Sequence, residues 1–68
     1  MNKAFWKDFL SWLDTASLEE LLSAKSEAQG KLFTVDAVTR SDLRRMIRLI
    51  SEELVTRSEL NRSIQRKA

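Results

Sequence analysis

Apolar positions recur along this chain at spacings of three and four, and nowhere do they alternate with polar ones over the length of a strand. That spacing stacks side chains on one face of a helix. In the first segment Phe5, Trp6, Phe9, Leu10, Trp12, Leu13 and Ala16 share one arc, and Lys3, Lys7, Asp8, Ser11 and Asp14 fall opposite. The pattern predicts an amphipathic helix over residues 3–14. Ser17 and Glu20 then stand at capping-box spacing, with Ala16 and Leu21 where a hydrophobic staple forms, so a second helix is expected from Leu18.

The second helix is read over 18–32, with Leu18, Leu21, Leu22, Lys25, Ala28 and Leu32 on a narrow stripe. Gly30 lies off that stripe and is read as helical, since Leu32 and Phe33 extend the pattern beyond it. After the turn Phe33-Thr34-Val35, Asp36 is the expected N-cap of a long third helix over 37–65. Its core-facing series is Leu43, Ile47, Ile50 and Leu54, then Asn61 and Ile64, with Met46, Leu49 and Leu60 widening one flank. Asn61 at a core-phase position marks where pairing is expected to loosen, and the turns from Arg62 to Ala68 are expected to fray.

The expected fold is therefore all-α and a single domain over 1–68. A short N-terminal amphipathic helix precedes an antiparallel helical hairpin whose second arm is long. That arm carries more apolar surface than one short neighbour covers, so a second partner helix is needed, from this chain or from another copy. A homodimeric bundle is the expected form. Candidate core or dimer residues are Phe5, Phe9, Leu13, Leu21, Leu43, Met46, Ile47, Ile50 and Leu54. Four of the five aromatic residues lie within positions 5–12. Each such side chain buries about 150–250 Å², so they are expected to cover the hairpin or line a dimer interface. Trp6 and Trp12 sit near the margins of their arc and are candidates for contact with a partner.

Length and composition sharpen this picture. A chain of 68 residues buries only about 60% of the surface its unfolded form exposes, which leaves little stability in hand. With no Cys and no His there is no disulfide, no thiolate or imidazole metal site and no imidazole base. Oligomerisation is the remaining stabilising device. Catalysis is not expected either. Glu19-Glu20 and Glu52-Glu53 are sequence neighbours, which do not face each other on a helix, and no Gly-rich loop is present to cradle phosphate or a cofactor. No apolar run approaches the roughly 20 residues of a membrane span, and the start of the chain lacks a secretion signal's pattern. A cytoplasmic protein is expected.

Charge is divided unevenly. Residues 1–36 carry four lysines against six carboxylates, net −2, and residues 37–68 carry eight cations against four carboxylates, net +4. Arg40, Arg44 and Arg48 repeat every four residues and are expected to form a ridge on the third helix. The simplest reading is a solvated face laced by ion pairs, since Asp42 precedes Arg45 by three and Glu53 precedes Arg57 by four. A protein partner is the next reading, with Arg offering a planar fork to carboxylates. A phosphate backbone is the third, as in a small DNA-binding regulator. A helix-turn-helix fits poorly, because the turn joins helices of very unequal length.

The order FWxxFLxWLDxASxEEL at residues 5–21, followed by DAVTRSDLRRMIRLISEEL at 36–54, resembles small proteins of transposable phages and prophages of Gram-negative bacteria. Among these are proteins of the quorum-sensing anti-activator type. The resemblance implies a homodimer of helical hairpins in the bacterial host cell. It implies binding to a LuxR-type transcription regulator, blocking its DNA binding, and a second target in the pilus assembly ATPase. A structural or assembly subunit of a phage is the remaining alternative.

Overall fold

The computed structural model describes the backbone of residues 2–67 and the side chains of residues 2–60. It contains three helices, α1 (Lys3–Thr15), α2 (Leu18–Lys31) and α3 (Ala37–Lys67), and no strand among the described residues. The expected starts of all three are met, and the ends differ by one or two residues. Asn61, Ile64 and the expected fraying from Arg62 onward lie outside the residues whose side chains are described.

Each helix begins at a side-chain cap. The Phe5 N–H donates to Asn2 Oδ1 at 2.9 Å, a cap the apolar pattern does not reveal. Between α1 and α2 the chain turns on two residues, and the capping box is complete: the Glu20 N–H donates to Ser17 Oγ and the Ser17 N–H to Glu20 Oε1, both at 3.1 Å. The Thr39 N–H donates to Asp36 Oδ1 at 3.2 Å and starts α3. Each cap satisfies donors that the first helical turn leaves without partners. Gly30 is helical, as read, and a Cβ there would meet nothing within 4 Å.

At 1.5 Å per residue the 31 residues of α3 extend about 46 Å, nearly the 48 Å length of the molecule. The 14 residues of α2 reach about 21 Å. α2 packs on α3 between Arg40, bonded to the Leu32 carbonyl, and Leu54, which shares a surface depression with Leu18. α1 supplies the second neighbour from within the same chain. It lies along α3 from Arg45, seated over the Trp6 ring, to Arg57, bonded to the Leu13 carbonyl.

The core forms where the three helices meet. Phe9, Leu13, Ala16, Leu21 and Ile50 are its buried centre, with Leu21 and Ile50 fully enclosed. Phe5, Trp6, Trp12, Ala24, Met46, Leu49 and Leu54 pack around it, half-buried. Ala28 and Leu43 are buried nearer the turn, and Ile47 is half-buried. The aromatic residues of α1 form a continuous run. Phe9 stacks with Phe5 at 6.0 Å and with Trp12 at 5.7 Å between ring centres, and Trp6 meets Phe5 and Phe9 edge-on at 5.2 and 5.8 Å.

Two outcomes follow. Leu21→Ala is expected to cost about 2–5 kcal/mol by opening a cavity, and Gly30→Ala to add about 0.5–1 kcal/mol by restricting the unfolded chain; urea unfolding measures both. The caps also set an acid limb. The Ser17 N–H and then its hydroxyl hold Glu20 below its ordinary 4.5, and the Thr39 hydroxyl and then its N–H hold Asp36 below 3.8. Depressed carboxyls stabilise the fold above their unfolded values and lose that contribution as pH falls through the folded ones. Melting temperatures from pH 7 to pH 2 are expected to drop below about pH 4.5, and less steeply in Ser17→Ala with Asp36→Asn.

Candidate functional site

The arginines of α3 were the main sequence-level candidates, and the structure assigns them different tasks. Arg40 is built into the turn. Its Nε donates to the Leu32 carbonyl at 2.8 Å and its Nη2 to the Val35 carbonyl at 3.1 Å, so it closes the C-terminal end of α2. Both carbonyls lie in the turn beyond Lys31, outside the hydrogen-bond ladder of α2, and a fixed guanidinium is an effective partner for them. Arg40 is therefore half-buried and engaged, and the expected Arg40–Arg44–Arg48 ridge begins, as a free surface, at Arg44.

Arg45 lies with its guanidinium carbon 4.3 Å from the centre of the Trp6 ring, a cation–π contact. Arg57 pairs with Glu53 at 3.1 Å, the i,i+4 pair read from the sequence, and also donates to the Leu13 carbonyl at 3.0 Å. The pair is partly exposed, so its charge attraction is largely screened. Its weight lies in the second bond, which crosses 44 residues of sequence to hold the last turn of α1. The Leu13 carbonyl is one of the unpaired acceptors at that helix end.

Arg44 and Arg48 remain exposed, and with Ser41, Asp42 and Arg45 they line a shallow depression on the outer side of α3. The other partner candidates, Trp6 and Trp12, are half-buried against Phe9 and its neighbours and take part in the core. Of the core candidates, Phe9, Leu13, Leu21, Leu43 and Ile50 are buried, whereas Phe5, Met46, Ile47 and Leu54 are half-buried.

The exposed apolar residues are a feature that periodicity alone did not rank. Leu18 and Leu22 on α2 are about half exposed, at 56% and 50%, and Val55 on α3 at 57%. At 100° per residue Ile47, Ser51 and Val55 lie on the flank of α3 opposite Met46 and Leu49, which pack toward α1. Leu18 borders Leu54 and Ser58, and Val55 borders Ser51. An interrupted apolar strip thus runs across α2 and α3, with Arg57 beside Leu18 and Arg48 and Glu52 beside Val55. At the other end Phe33 stands 89% exposed in the turn. Among the described residues no group of three carboxylates is placed to hold a metal, and no helix is long and apolar enough to cross a membrane.

No known protein family, no curated protein and no solved structure matches the chain.

The division of the arginines is measurable. Arg40→Ala is expected to lower stability by about 1–3 kcal/mol by leaving two turn carbonyls without their charged donor. Arg44→Glu and Arg48→Glu, on open surface, are expected to change it by no more than about 0.5 kcal/mol each. Urea unfolding of the three variants against the parent provides the comparison.

Proposed function

We propose that this chain is a non-catalytic protein-interaction module that acts as a homodimer in the cytoplasm. The observation that carries the reading is the strip of exposed Leu18, Leu22 and Val55, which stays uncovered although α1 has already closed the core. A folded chain of this size gains little by leaving leucines in water, and a second copy burying the strip supplies the apolar area that a small domain lacks. Ser51 and Ser58 beside it are small enough to let helices approach closely. The antiparallel hairpin of α2 and α3 is supported by Arg40 on Leu32 at one end and Leu18 beside Leu54 at the other.

In this reading the dimer occupies a host protein and prevents that protein's own interactions. The sequence resemblance names the targets to try first: a LuxR-type transcription regulator, then a pilus assembly ATPase. The second reading, a small DNA-binding regulator, is favoured by exposed Arg44 and Arg48 and disfavoured by the net charge of only +2. It requires duplex affinity that falls steeply with salt.

Light scattering coupled to size exclusion is expected to give about twice the chain's 7.9 kDa. Leu22→Glu with Val55→Glu is expected to give a folded species at the monomer mass, with the helical signal retained. A monomeric parent would overturn the dimer.

A further inference from the structure

We propose that a second copy of the chain packs end for end against the outer face of α3, about a two-fold axis crossing that helix between Ser51 and Glu52. Arg44 and Arg48 of each copy then meet Glu52 and Glu59 of the other. The inference rests on the reading of the chain as a homodimer. It adds the direction in which the copies pair and the charges that set it.

The outer face of α3 is divided by sign. At 100° per residue Arg44, Arg48, Glu52, Val55 and Glu59 fall within an arc of about 80° on the side opposite Ile50. All five are exposed. The N-terminal half of this face is cationic and the C-terminal half anionic. Arg48, Ser51, Glu52, Val55 and Thr56 line one shallow depression, so a cation, an anion and an exposed apolar side chain share a single concavity. Val55 and the charges beside it are thus one surface, to be covered together.

One chain matches these charges poorly. Among the described residues no ion pair joins Arg48 to Glu52, and a base four residues before an acid is the weaker order on a helix. Arg44 and Arg48, one turn apart, repel each other.

Such a face complements itself only when reversed. Two copies side by side in the same direction set Arg on Arg and Glu on Glu, which opposes pairing. Turned about an axis between Ser51 and Glu52, Arg44 lies opposite Glu59. The apolar stem of Arg48 then lies over Val55, with its guanidinium between Glu52 and Glu59. The two-fold makes each contact twice. Exposed ion pairs add little affinity, but they choose orientation and register. Other occupants suit half the face at most. Glu52 and Glu59 repel a phosphate backbone or an acidic segment, and Arg44 and Arg48 repel a basic one. A second copy carries both signs in the reverse order.

The chain has no Cys, so a single cysteine placed at exposed Val38 or Ser41 takes one spin label per copy. Double electron–electron resonance on the full-length dimer then reads the direction of pairing. Reversed pairing separates the two copies of residue 38 by about 40 Å and those of residue 41 by about 30 Å, at 1.5 Å per residue from the axis. Pairing in the same direction, with helices about 10 Å apart, keeps both pairs within about 20 Å. A charge exchange, followed by sedimentation equilibrium, tests the cause. Glu52→Arg with Glu59→Arg is expected to weaken self-association about fivefold or more, and adding Arg44→Glu with Arg48→Glu to return it within about twofold of the parent. These side chains are exposed, so the variants keep the parent's circular dichroism. Short distances at both positions overturn the reversed pairing and leave the dimer standing. Self-association indifferent to Glu52 and Glu59 also overturns it, placing the dimer on another face and leaving this one to a different partner. Failure of the fourfold exchange to restore affinity removes charge matching as the cause. A monomeric parent removes the dimer and this arrangement together.

Discussion

Everything in this molecule depends on covering one long helix. α3 carries an apolar arc wider than a single neighbour can shield, and α2 is less than half its length. The solution is a second short helix that runs beside α3 and brings four aromatic rings with it. Large rings are suited to this position because each removes much apolar surface from water while fixing few torsions. Ile50 and Leu21, fully enclosed, owe their burial to all three helices meeting. Without α1 the pair of α2 and α3 would leave Met46 and Leu49 uncovered.

Polar groups lock what the apolar groups bring together. The two-residue elbow after α1 is fixed by the Ser17–Glu20 box, and the turn after α2 by Arg40. Arg57 fastens the end of α1 to α3. In each case the bond satisfies a backbone group at a helix end, where the helix itself has no partner to offer. Three arginines of one helix thus serve as cap, ring cover and tether, while Arg44 and Arg48 stand on open surface.

The helices were legible because their signals are local. Periodicity gave the faces, Ser17, Glu20 and Asp36 gave the starts, and Gly30 was read correctly as helical since Leu32 continued the stripe. The tasks of Arg40, Arg45 and Arg57 were not legible as such. The spacing of four among Arg40, Arg44 and Arg48 suggested a common face, but Arg40 reaches turn carbonyls, and Arg45 and Arg57 reach an indole ring and a carbonyl far away in sequence. One signal was present: an Arg early in α3 sits near the C-terminal end of the preceding helix, where basic side chains seek carbonyls. The exposure of Leu18 and Leu22 was hidden for another reason. They belong to the same periodic stripe as Leu21, and a stripe does not say how wide its cover is.

The placement of both tryptophans on α1 has an optical consequence. Trp6 lies under Arg45 and Trp12 against Phe9, so tryptophan emission comes wholly from the docked aromatic helix. Far-ultraviolet ellipticity comes mostly from elsewhere, since α2 and α3 hold 14 and 31 helical residues against 13 in α1. The two signals therefore watch different parts of one short chain. Where they change together, seating of the aromatic helix and winding of the long one are a single cooperative event; where they separate, the gap between them is the free energy of α1 leaving its seat while the rest of the helix pair stays wound.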